Sequence, residues 1–95
     1  MIENKVLVSL NVPVLEKKYD VYIPVNRKIH NVIEMIKTSL SQLSNGSFEM
    51  NSKYTLYNKD NGNAYDMNIL VRDSDIRNGS RIILLWGGDW WWMVN

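Results

Sequence analysis

Gly87-Gly88, and the run Trp90-Trp91-Trp92 that begins two residues later, are the chemically unusual residues of this 95-residue chain. The glycine pair follows an apolar strand pattern with no helix after it, so it lacks the N-terminal amides that a phosphate-binding loop needs. Two glycines placed there make a joint between a strand and a tail. The tryptophans are large, and each hides about 150–250 Å² when covered. Three of them left in water would rival the largest apolar patch of an ordinary monomer, about 300–600 Å². The tail is therefore expected to lie against its own sheet, a second subunit, a partner protein or a lipid interface. No basic cluster accompanies the tryptophans, which makes a membrane the weakest of these. Strand exchange or edge addition in a homodimer, with Gly87-Gly88 as the hinge, is the favoured expectation.

The other polar residues suggest no reaction. His30 is the only histidine and stands near a helix start without the further ligands or partners of a metal shell or triad. Asp73 and Asp75 are close in sequence but flank a turn, where short carboxylates are expected to cap backbone amides. Asn45-Gly46-Ser47 and Asn78-Gly79-Ser80 match glycosylation acceptors but read as turns when no secretory leader is evident. There is no cysteine, hence neither a disulfide framework nor thiol chemistry. The chain is expected to be no enzyme and to need neither cofactor nor metal.

Composition narrows the partners. The formal net charge is +1, with charged side chains making up 22% of the chain. Nucleic-acid binding normally needs a clear cationic excess, so it is not expected. No apolar run approaches the roughly 20 residues that span a bilayer. Met1 to Lys5 leads straight into a strand pattern and lacks the features of a signal peptide. A cytoplasmic protein is the simplest expectation.

Those residues must be positioned by a small set of elements. Val6, Val8, Leu10 and Val12 share one face at period two, and Pro13 helps to end that strand. Tyr19, Val21 and Ile23 repeat the pattern, with Lys18, Asp20 and Tyr22 facing out, so an antiparallel hairpin is expected. After Pro24 the period changes. Ile29, Val32, Ile33, Ile36, Leu40 and Leu43 make a helical stripe over about 27–43, with Asn26 as N-cap, Asn45-Gly46 as stop, and Lys28, Asn31, Glu34 and Lys37 in water. A third strand spans 53–58, Asp60-Asn61-Gly62 turns, and 64–71 returns as a short strand or loop. Asn78-Gly79 turns into a last strand over 81–86. One helix hides only one sheet face, so a single sheet with the helix across it is the compact solution.

The order β-β-α-β-(β)-β, with Ile76-Arg77-Asn78-Gly79 before the last strand, resembles the ubiquitin-like β-grasp. Tyr19 to Pro24 and Asp75 to Ile82 resemble the YukD/EsaB family, small cytoplasmic ubiquitin-like proteins associated with bacterial type VII secretion. The resemblance covers about 5–85. Ser80 departs from an aspartate frequent in that family, and the tryptophan-rich extension is foreign to it. The resemblance implies an α+β fold with a mixed sheet in a domain over 1–86, followed by the hinge and tail over 87–95. It also implies a non-enzymatic accessory or regulatory role, docking a sheet face onto components of the secretion machinery. Ile83 and Leu85, pointing away from the helix, are then expected to bind a partner together with Trp86, Trp90, Trp91 and Trp92. A second reading is a bacterial ubiquitin-like modifier trimmed after Gly88 and conjugated through that glycine. Gly87 and Gly88 would suit a narrow enzyme channel.

Overall fold

The computed structural model describes residues 4–86 of the chain. Its elements are β1 (Lys5–Val12), β2 (Lys17–Pro24), the helix α1 (Ile29–Leu43), β3 (Tyr54–Asn58) and β4 (Arg81–Trp86), with single 3-10 turns at Pro13–Leu15 and Val71–Asp73. The sheet order is β2-β1-β4-β3. β1 and β2 pair antiparallel along their whole length, from Lys5↔Pro24 to Val12↔Lys17. β3 and β4 are also antiparallel, while β1 and β4 are parallel neighbours at the centre.

The period-two pattern closes the core as the sequence indicates. Val8, Leu10 and Val12 of β1, Ile23 of β2, Leu56 of β3, and Ile82 and Leu84 of β4 meet Ile29, Val32, Ile33, Ile36 and Leu40 of α1. Val71, Ile76 and Phe48 fill the edges of that layer. The parallel centre is secured at its lower end by the turn before β4. The Leu7 N–H donates to Asn78 Oδ1 at 2.8 Å, the Gly79 N–H donates to the Leu7 carbonyl at 2.8 Å, and the Ser9 N–H donates to the Ser80 carbonyl at 2.9 Å. Gly79 holds φ +88, a conformation that glycine adopts without steric cost.

Three local expectations are corrected, and one that was open is decided. The helix begins at Ile29 with Lys28 at the N-cap, and neither Lys28 nor Asn26 caps it with a side chain. The first-turn amides are taken by backbone instead: Ile29 donates to the Ile69 carbonyl at 2.9 Å and His30 to the Met67 carbonyl at 3.1 Å. Of the two forms expected for 64–71, short strand or loop, the chain takes the loop, with the isolated bridges Tyr57↔Ala64 and Lys28↔Leu70. Leu43 is 66% exposed, since by then the stripe has rotated off the sheet. Lys37 is buried, not solvated. Its ammonium bonds Glu34 at 3.1 Å and stands 5.9 Å from the Tyr54 ring, so the alkyl stem is hidden while the charge keeps partners.

The helix stop agrees with its signal. Asn45 and Gly46 have φ +54 and +83, and the Gly46 N–H reaches back to the Ser41 carbonyl at 3.0 Å. Urea unfolding should show Asn78→Ala and Gly79→Ala each destabilised by about 1 kcal/mol, one through a lost hydrogen bond and the other through strain at positive φ. Leu43→Ala should change stability by less than about 0.5 kcal/mol. A large loss at Leu43 would contradict its exposed placement.

Candidate protein-interaction site

Alternation along β4 separates the residues that the sequence grouped together. Ile82 and Leu84 face the helix, and Ile83 and Leu85 face the other side of the sheet. Trp86 falls on the helix-side parity, opposite Tyr54, and is 38% exposed. Leu85 is only 4% exposed, yet it stands apart from the main core cluster. It is therefore covered, and the expectation of a free Leu85 surface is corrected. Ile83 is half-buried between Asn11 of β1 and Tyr57 of β3. Gly87, Gly88, Trp90, Trp91 and Trp92 lie outside the described residues.

The outer sheet face is not a continuous apolar patch. Leu7 and Tyr22 sit side by side at one end, and Ile83 and Tyr57 pair at the other. Ser9, Asp20 and Arg81 fill the rows between them. Around Ile83, Lys59 reaches Asn11 at 3.5 Å, and Arg81 is ion-paired with Asp60. Any partner on this face must satisfy charges as well as cover carbon.

The more apolar surface lies between α1 and β2. Tyr19, Val21 and Ile23 of β2 face Met35, Ile36 and Leu43 of α1 across a cleft of about 110 Å³. That is far below the few hundred Å³ of a usual small-molecule pocket, so the cleft suits side chains laid along it. Met35 is 49% exposed and Leu43 rims the cleft. Met35 and Ser39 stand beside the main stripe and, four residues on, meet its last member, Leu43. This second spacing was the available signal.

β2 ends the sheet, and among the described residues no backbone hydrogen bond is made along its outer edge. The opposite edge is different. The Asn58 N–H bonds the Asn63 carbonyl and the Tyr65 N–H bonds the Leu56 carbonyl, at 2.8 and 2.9 Å, so 63–65 covers much of β3.

Asp75, one of the two candidate carboxylates, has structural partners. Asp75 does not cap a backbone amide. It accepts the Tyr65 hydroxyl at 2.7 Å and the Asn58 amide at 3.1 Å, tying the loop after β3 to the turn before β4. Ser74 takes the capping role, receiving the Ile76 N–H at 3.1 Å. His30 is exposed. No group of three or more metal-ligating side chains occurs among the described residues, and no described helix is long and apolar enough to cross a membrane.

With one helix on a mixed four-stranded sheet in this order, the fold is the ubiquitin-like β-grasp. Solved structures bear this out. The chain is similar to the ubiquitin-like domain of the type VII secretion protein EccD1 of Mycobacterium tuberculosis, at 13% identity and TM-score 0.66, over 85% of this chain and 97% of that one. It is likewise similar to the EccD5 ubiquitin-like domain of Mycobacterium xenopi, at 16% identity and TM-score 0.63, over 86% and 93%. A chain of an ESX-5 inner membrane complex matches 87% of this chain at 15% identity and TM-score 0.65, but this chain spans only 21% of that one. No family model and no curated protein matches the sequence.

Burial drives the Tyr65 phenol above the ordinary tyrosine range, and the Asp75 carboxylate that accepts its proton adds to the effect. The sign follows. A raised folded-state pKa gives stability that is whole below the unfolded value of about 10 and is lost as pH rises beyond it. Denaturation midpoints of the native chain should fall between pH 10 and 11, and Tyr65→Phe should flatten that fall. Separately, Leu85→Ser should destabilise the fold by about 2–4 kcal/mol and Ile83→Ser by about 1 kcal/mol or less, as read by thermal unfolding. Equal losses at both positions would contradict the difference in burial.

Proposed function

We propose that this chain is a non-enzymatic protein-interaction module of a bacterial type VII secretion system, acting in the cytoplasm as an accessory of the YukD/EsaB kind. One observation carries the reading: the family that 19–24 and 75–82 resemble shares its secretion context with two solved domains of the same fold, those of EccD1 and EccD5. The matched ubiquitin-like domains are nearly whole domains, and the ESX-5 chain belongs to an inner membrane complex. On this reading the chain works by contact and carries out no reaction. Its contact surface combines the half-buried Ile83 and exposed Trp86 with the tail tryptophans, whose role is offered here on their chemistry alone.

A second reading rests on Gly87-Gly88 following β4 directly. It makes the chain a modifier, trimmed after Gly88 and joined to an amine. The two readings differ in covalent structure. Intact mass from the native host should give the full 95-residue chain with no higher-mass conjugates, and deleting the gene should reduce export by the secretion system. Recovery of a chain ending at Gly88, with adducts on other proteins, would establish the modifier. Unchanged export in the deletion strain would remove the secretion assignment.

A further inference from the structure

Three lysines that no carboxylate neutralises gather beside Ile83 on the outer sheet face. Lys17, Lys18 and Lys59 line one recess of about 360 Å³ together with Asn11 and Ile83. The one acidic side chain in its described lining is Glu16. Among the described residues the ion pairs are Lys37 with Glu34 and Arg81 with Asp60, so none of the three lysines is ion-paired. All three are exposed. The whole chain carries a formal charge of only +1, so the cationic excess is local to this recess.

Strand register places these charges. Lys18 pairs with Asn11, Asn11 with Ile83, and Ile83 with Tyr57, which sets the four in one row across the sheet. Lys59 starts beyond the end of β3, yet its ammonium reaches Asn11 Oδ1 at 3.5 Å, across the lane of β4. The cationic end of the row thus centres on Asn11. Its apolar end is the half-buried pair Ile83 and Tyr57, beginning about 4.8 Å away, one strand spacing. The next row, about 7 Å along the strands, is not cationic. Asp20 stands there, and Arg81 is already held by Asp60. A nucleic acid carries charge along its whole length and needs a basic track to match. This face offers cations at one end, next to carbon.

Taking the chain to work by contact through Ile83, a reading on which this step rests, we infer that the recess docks an acidic segment of a partner protein. An apolar side chain of the partner covers Ile83 and Tyr57, and neighbouring carboxylates meet Lys18 and Lys59. Lys17 extends the cationic end. Covered carbon holds the complex, while the charges select the partner and speed its arrival.

The test uses the full chain and an array of short synthetic peptides with Leu, Ile or Phe set between Asp and Glu. Members should shift the Ile83 methyl and Asn11 side-chain amide resonances, and added salt should weaken them. Matched peptides carrying Asn and Gln in place of the acids should bind at least about tenfold more weakly. Lys18→Glu/Lys59→Glu should lose about tenfold in affinity for the acidic peptides and gain peptides flanked by Lys instead. Unshifted Leu56 and Ile82 methyls report that this variant is folded. Glu16→Gln should tighten acidic peptides about twofold. The proposal is overturned if no acidic member binds, if the neutral array binds equally, or if the shifts fall in the cleft between α1 and β2. A single-stranded oligonucleotide or phosphatidylserine vesicles binding the same lysines more tightly than every peptide would overturn it too. None of these outcomes bears on export in the deletion strain, so the secretion assignment and the acidic partner fail separately.

Discussion

The parallel pairing of β1 with β4 is the constraint on which the rest of the molecule depends. It joins residues about seventy positions apart through three register pairs, Ser9↔Arg81, Leu10↔Ile82 and Asn11↔Ile83. Parallel neighbours cannot be joined by a tight turn, so everything between β2 and β4 serves as the crossover. The helix covers one face of the pair, β3 flanks it, and the loop of 59–80 must return the chain to the foot of β1. The contacts of Asn78, Gly79 and Ser80 with Leu7 and Ser9 fix where that return ends. Closing so long a loop costs chain entropy before its contacts are gained.

Most of the fold was legible because burial repeats with a period. Strands β1, β2 and β4 and the body of α1 follow from apolar residues two or about 3.6 apart, and Asn45-Gly46 and Asn78-Gly79 follow from turns that need positive φ. The errors share another cause. Asn26 reads as a cap by its own residue type, yet the helix start is satisfied by carbonyls of Met67 and Ile69, nearly forty residues away. Local preference does not carry such a partner. Lys37 shows the same limit: a lysine in a helix reads as solvated until Tyr54 and Glu34 are placed around it.

The candidate surface was legible in its parity but not in its exposure. That Ile83 and Leu85 point away from the helix follows from alternation alone. That Leu85 is covered, and that Asn11, Lys59 and Arg81 crowd the rows around Ile83, depends on neighbours that alternation does not supply. The cleft beside β2 arises because α1 is too narrow to shield the whole sheet. Met35 and Leu43 of α1 rim this cleft opposite Tyr19, Val21 and Ile23 of the edge strand.

The two edges of the sheet differ in a way that sets stoichiometry. Among the described residues, 63–65 lies along much of β3, while the outer side of β2 is left open. A sheet with two open edges can add copies without end, and fibrils grow in that way. A sheet with one can at most meet a single extra strand or a single mate, after which no edge is left to extend. Among the described residues, geometry thus favours one pairing event per molecule, on the β2 side, over a growing filament.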